Sequence, residues 1–113
     1  MTPLIDERCR ACNASTPRVE GEELERLRAE LGPDWHVEGS TLLRRRLRFP
    51  DFVHAFGFMA TSAIAIEKMN HHPEWSNVYN KVIVYLTTHD AGGITQKDVA
   101  LAHALDAFAG KLQ

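Results

Sequence analysis

Three of the six histidines in this 113-residue chain stand where they could do chemistry. His71 and His72 are adjacent and precede Pro73, and His89 precedes Asp90-Ala91-Gly92-Gly93. Imidazole is the side chain best suited to give and take protons near neutral pH. Pro73 biases the backbone of His72 to extended geometry, where neighbouring side chains point in different directions. The pair can therefore address two sides of one small molecule. Three histidines could also bind zinc, although the two-histidine helical spacing of common zinc enzymes is absent. Glu67 lies four residues before His71, within reach on a helical turn. It either holds a histidine or pairs with Lys68 and solvent. His36, His54 and His103 read as capping or surface residues.

These residues need elements to position them. Residues 1–19 carry turn formers and little periodicity, and read as an irregular arm ahead of a domain at 20–113. Glu22 to Leu31 has helical spacing, with Leu24, Leu27 and Leu31 on one face and Gly32-Pro33 as its stop. Trp35 to Glu38 and Leu42 to Phe49 read as strands joined at Gly39-Ser40. Leu43, Leu47 and Phe49 share one face of the second strand; Leu42, Arg44, Arg46 and Arg48 share the other. Arg45 breaks this alternation. Pro50-Asp51 opens the longest helix, Phe52 to about Met69. Phe52, Phe56, Met59, Ala63 and Ile66 follow helical spacing, with Val53, Ala60 and Ile64 as a neighbouring stripe. That apolar surface is wide for a helix covering one sheet face. It calls for a helix from another subunit or for deep burial in a monomer.

Trp75 to Asn80 is a short strand, and Lys81 to His89 is the strongest strand signal, apolar on both faces as a central strand would be. His71 and His72 thus follow a helix, and His89 closes a strand beside a glycine loop. Helix and strand ends converging on a loop commonly make sites. Thr95 with Asp98 resembles a capping pair for a last helix reaching about Lys111, with Leu101, Leu105, Phe108 and Leu112 as its core stripe. The order α-β-β-α-β-β-α predicts an α+β fold: a four-stranded antiparallel sheet with three helices on one face.

Composition narrows the function classes. The hydrophobic fraction is 44% and the charged fraction 25%, as in ordinary globular domains. A net charge of −2 argues against direct nucleic-acid binding, which needs a basic face. The run Arg44-Arg45-Arg46 with Arg48 reads as a solvated strand face or as a contact for an anionic ligand or acidic partner. No apolar stretch approaches the roughly 20 residues of a membrane span, and Met1 to Arg10 lacks a signal-peptide core. The expectation is a cytoplasmic protein. Cys9 and Cys12, the only cysteines, have the spacing of half a zinc site or a redox pair, with no second pair to complete the first and no preceding strand for the second.

The residues around the histidines carry a resemblance. The stretch from Glu67 to Val82, including Asn70-His71-His72-Pro73-Glu74-Trp75-Ser76-Asn77-Val78-Tyr79-Asn80, resembles the signature of the pterin-4a-carbinolamine dehydratases. Thr87-Thr88-His89-Asp90-Ala91-Gly92-Gly93-Ile94-Thr95 with Asp98 is similar to the next conserved block of that family, at the same interval. Asp34-Trp35 fits as well, and the Cys9–Cys12 arm looks like that of bacterial members. The resemblance spans about residues 20 to 110. Asn70 stands where some members have an acid, and Asp90 where some have Glu.

The resemblance implies a hydro-lyase that removes water from 4a-hydroxytetrahydropterin, the spent cofactor of aromatic amino-acid hydroxylases. No metal and no organic cofactor are implied, since the pterin is the substrate. His71, His72 and His89 become the catalytic set. Pro73, Thr88, Asp90 and Ala91 join them in holding the substrate, with Glu67, Trp75 and Asp98 in support. The chemistry suits histidines: the C4a hydroxyl needs a proton to leave, and the N5 proton must depart. His71 and His89 are the expected proton-transfer pair, with His72 orienting substrate or acting as alternate acid. The family implies a homodimer or homotetramer with the long helix at one interface, no direct nucleic acid and no membrane, and a functional link to a hydroxylase. Relatives that act as transcriptional coactivators or enzyme assembly factors supply the alternative, a non-catalytic binding module.

Overall fold

A computed structural model describes residues 16–113. Most of the expected arm, with Cys9 and Cys12, lies outside them. The elements are α1 (Gly21–Leu31), β1 (His36–Glu38), β2 (Leu42–Arg48), α2 (Phe52–Met69), β3 (Glu74–Val78), β4 (Lys81–Leu86), a 3-10 turn (His89–Ala91) and α3 (Gln96–Leu112). The sheet order is β1-β2-β4-β3, with every neighbouring pair antiparallel. The expected α-β-β-α-β-β-α order and antiparallel sheet are what the chain forms.

Alternation decides which sheet face meets the helices. Leu43, Leu47, Val82, Val84 and Leu86 are fully or nearly fully buried. They pack with Leu24 and Leu27 of α1, Phe58 and Ile66 of α2, and Leu101 and Leu105 of α3. Phe108 and Leu112 of the expected α3 stripe are only partly buried at its edge. Arg45 falls on the inward face, and its exception has a cause. Its guanidinium pairs with Asp106 on α3 and lies 3.6 Å from Asp34. The buried Trp35 ring donates Nε1–H to the same Asp106 carboxylate at 2.9 Å. The polar atoms this brings inside are thereby largely paired.

Helix α2 departs from the stripes read in the sequence. Its buried residues are Ala55, Phe58, Ser62 and Ile66. Of the first stripe only Ile66 is buried, while Phe52 and Phe56 are about half exposed and Ala63 is exposed. Val53 at 76% and Ile64 at 70% exposure face outward. The helix is apolar nearly all round, so spacing could not choose the core side. Small Ala55 and Ser62 sit on the inner side, where α2 packs against α3. Deep burial within one chain is ruled out, and the outward apolar face has no cover within the described residues.

Strand ends shift by one to three residues. β4 stops at Leu86, not His89. Thr88 then forms a lone bridge with Gly93, and the chain between them coils into the 3-10 turn. Gly92, at φ 75°, closes that turn in a backbone region that favours glycine. β3 begins at Glu74, and its hairpin to β4 turns at Tyr79-Asn80, one residue earlier than the bend read at Asn80-Lys81.

Candidate active site

Three caps place the histidines. Asp51 starts α2 by accepting the His54 backbone N–H at 2.8 Å. Asn70 ends it in the left-handed conformation, its N–H donating to Glu67 O. That reversal swings His71 under the helix end, where it is buried at 5% exposure. Thr95 and Asp98 form a full capping box at the start of α3.

The box does more than cap. Asp98 is fully buried, and its Oδ1 lies 2.5 Å from His71 Nε2. Its Oδ2 accepts from Thr88 Oγ1 at 2.8 Å and from the Thr95 backbone N–H at 2.9 Å. The Thr88 and Thr95 hydroxyls lie 2.8 Å apart. One carboxylate thus ties together the end of α2, the strand-like exit of β4 and the start of α3. A buried carboxylate with this many donors is satisfied, and it fixes the plane of the imidazole it meets.

The other two histidines are exposed and also face carboxylates. His72 Nε2 lies 2.8 Å from Glu67 Oε1. His89 Nε2 lies 3.1 Å from Glu74 Oε1. Each imidazole thus has its own acidic partner, and among the described residues no group of three or more His, Cys, Asp or Glu side chains is arranged to hold a metal ion.

His71, His72 and His89 border one cavity of about 380 Å³, together with Asn70, Thr87, Thr88 and Asp90. The size falls within the usual range for small-molecule sites. Of the expected residues, Pro73, Trp75 and Glu67 do not line it. They border a neighbouring groove that touches His72. Ala91 is absent from its walls, and its N–H closes the 3-10 turn onto Thr88 O. Asp98 lies behind the wall, against His71. Glu67, four residues from His71, meets His72 instead, because the αL reversal at Asn70 carries His71 to the other side.

Sequence reasoning missed Glu74 as the partner of His89, Thr87 and Asn70 as cavity walls, and Thr95 as more than a cap. Glu74 and His89 are 15 residues apart and meet only once β3 pairs with β4. The inward alternation of Thr88 after Leu86 was the available signal for the buried threonine.

Residues 17–108 match the family described as Pterin 4 alpha carbinolamine dehydratase. This chain belongs to that family. Dehydratase activity of this general kind is what the family supports. A Burkholderia cenocepacia relative, provisionally named a pterin-4-alpha-carbinolamine dehydratase, is 50% identical over 92 residues, covering 80% of this chain and 90% of its own length. A Solibacter usitatus relative with the same provisional name is 63% identical over 67 residues, covering 59% of this chain and 70% of that one. Among solved structures, a Brucella melitensis protein described as a transcriptional coactivator/pterin dehydratase is similar. It has TM-score 0.80 and 41% identity, covering 83% of this chain and all of that one. A pterin dehydratase-like protein described as a RuBisCO assembly factor in the alpha-carboxysome shares the fold, at TM-score 0.60 and 23% identity, over 71% of this chain and 94% of that one.

Proposed function

We propose that this pterin-4a-carbinolamine dehydratase family member dehydrates 4a-hydroxytetrahydropterin to quinonoid dihydropterin and water. The observation that carries the reading is the convergence of three histidines, each with its own carboxylate, on one cavity. Such a site moves protons without help from a bound cofactor. In this reading the C4a–O bond breaks as the hydroxyl accepts a proton and departs as water. The N5–H bond breaks toward a base, and its electrons form the new double bond. Each positioned acid or base is typically worth about 10²- to 10⁴-fold.

His71 is the base at N5. Its Nε2 is engaged by Asp98, which holds the imidazole in place for proton exchange with the substrate. The buried carboxylate stabilises the imidazolium that forms, as the aspartate does in a hydrolase triad. His89, exposed on its 3-10 turn, delivers the proton to the C4a hydroxyl. His72 orients the ring or substitutes as acid. Of the segment Thr88 to Ala91, Thr88, His89 and Asp90 border the cavity and meet the flat pterin edge. The unit at 20–113 acts in the cytoplasm and returns pterin to an aromatic amino-acid hydroxylase. Purified protein mixed with the carbinolamine, followed by absorbance of the quinonoid product, tests this. His71→Ala and His89→Ala at wild-type rate would overturn the roles.

A second reading has its own observation. The outward face of α2, with Val53, Phe56 and Ile64 in solvent, is an interaction surface. It fits a homodimer or homotetramer, or a protein-binding role of the kind that the word coactivator in the Brucella relative's description names. Association without dehydration would favour that role.

A further inference from the structure

The His89 ring is exposed, so its place over the cavity is set by the 3-10 turn that carries it. That turn closes on its own backbone: Ala91 N–H donates to Thr88 O, and Gly92 N–H to His89 O. Two ties from outside hold the closed turn to the rest of the fold. On its entry side the Thr87 hydroxyl donates to Thr41 O at 2.7 Å, just ahead of β2. On its exit side the chain before α1 runs along residues 92–94. Buried Val19 donates its N–H to Ile94 O at 2.7 Å, and this register brings Arg18 against Gly92 and Gly93. Arg18 Nη1 donates to Gly92 O at 3.3 Å, and its Nη2 lies 2.5 Å from Glu20 Oε1. A rigid guanidinium fork can serve two acceptors at once. Gly93 explains how the arginine comes so close. Gly92 has a left-handed φ of 75°, but Gly93 is not among the positive-φ glycines. What Gly93 lacks is a side chain in the way: a methyl there would lie 3.1 Å from Arg18 Cδ, closer than ordinary van der Waals contact, and 3.8 Å from Thr41.

We propose that Arg18 is a positioning residue for the dehydration: seated on Gly93 and steadied by Glu20, it clamps the exit of the 3-10 turn and so fixes where His89 stands. The inference rests on the reading of His89 as the acid that protonates the C4a hydroxyl. Arg18 does not border the histidine cavity, so it acts through the turn. Its ion pair with Glu20 is exposed and on that account contributes little to stability. Its worth is geometric. A proton donor must meet the leaving oxygen at hydrogen-bond distance, and a displacement of about 1 Å can cost two orders of magnitude in rate. The segment ahead of α1 is therefore part of the catalytic architecture, and the second glycine of the Gly92-Gly93 pair is the space that admits the arginine stem.

The test compares Arg18→Ala, which removes the guanidinium and its stem, with Gly93→Ala, which crowds the stem, and with the two together. Each protein is assayed with 4a-hydroxytetrahydropterin, its amide hydrogen exchange is followed residue by residue by NMR, and its melting temperature is measured. In Arg18→Ala the expected result is a kcat about tenfold lower, with KM changed less than about twofold. The amides of Ala91 to Gly93 exchange about tenfold faster, while those of α2 and His71 keep their wild-type protection. Gly93→Ala gives a smaller loss of the same kind. Adding it to Arg18→Ala costs nothing further, because the atom that the new methyl crowds is gone. An unchanged kcat in Arg18→Ala, or losses that multiply in the double variant, overturn the proposal and leave the dehydratase reading intact. Faster exchange throughout the chain with a matching fall in melting temperature also overturns it, since that is a general loss of stability. If wild type is no faster than buffer, the dehydratase reading fails and the catalytic role of Arg18 falls with it, and exchange confined to the turn then decides whether the clamp exists.

Discussion

His71 and Asp98, 27 residues apart, meet through a 2.5 Å contact between Nε2 and Oδ1 under the end of α2. The same carboxylate closes the capping box of α3, so one side chain both starts a helix and aims an imidazole. Fold and chemistry are therefore coupled at this point, and separate substitutions should pull them apart.

Asp98→Asn keeps the shape but places an amide where the carboxylate meets His71. Its kcat should fall by about 10²- to 10⁴-fold with a much smaller change in KM, because an imidazole in the wrong tautomer or without its counter-charge fails in proton transfer. Steady-state rates at fixed protein concentration check this. An unchanged kcat would remove Asp98 from any positioning role.

Thr95→Ala removes the cap hydroxyl while leaving the Asp98 carboxylate against His71. Stability should drop by about 0.5–2 kcal/mol, and activity should suffer far less than in Asp98→Asn. Urea unfolding curves and rates on the same samples give both numbers. Equal activity losses in the two variants would mean that the network acts on catalysis only through stability.

The exposed face of α2 predicts association. Ile64→Glu puts a charge on the outward face at a residue 70% exposed, away from the histidine cavity. Light scattering should show the wild type as a dimer or tetramer and the variant shifted toward smaller species, with its fold retained by circular dichroism. A wild type that stays monomeric at high concentration would contradict an interface on this face.

The Asp51 cap predicts an acid limb in stability. The His54 backbone N–H, and then the His54 ring, hold the Asp51 carboxyl below the usual carboxylate range. A carboxylate lowered by folding contributes stability above its unfolded value of about 3.9, and that contribution is lost as pH falls further, through its folded value. Asp51→Asn should therefore melt below wild type near neutral pH, and the gap should close in acid as pH falls below the ordinary carboxylate range and through the lowered folded value. Thermal melts across that range decide it. A gap independent of pH would mean that the charge of Asp51 contributes nothing.

Much of the fold was legible because its signals are local. Alternation through Leu43–Leu47 and Val82–Leu86, Gly32 after α1, and the Thr95–Asp98 spacing each name an element without reference to the rest. The core side of α2 was not legible, since its residues are apolar in nearly every direction and only tertiary packing, against α3 and against Phe49 and Trp75 of the sheet side, selects Ala55, Phe58 and Ser62. Arg45 looked like an error of register because its partner Asp106 lies 61 residues away. In the candidate site, residue types and motif spacing identified the histidines. Their carboxylate partners divide by distance: Glu67 is near in sequence but meets His72 rather than His71, Glu74 reaches His89 only through strand pairing, and Asp98 reaches His71 only through the turn at Asn70.

The central claim is that His71, His72 and His89 form a proton-transfer site for a pterin carbinolamine. Its most direct test is the rate of quinonoid dihydropterin formation from 4a-hydroxytetrahydropterin, measured for wild type, His71→Ala and His89→Ala. The account predicts clear acceleration over the uncatalysed reaction by wild type, and a loss of about 10²-fold or more in each variant. Wild type no faster than buffer, or variants as fast as wild type, would contradict it.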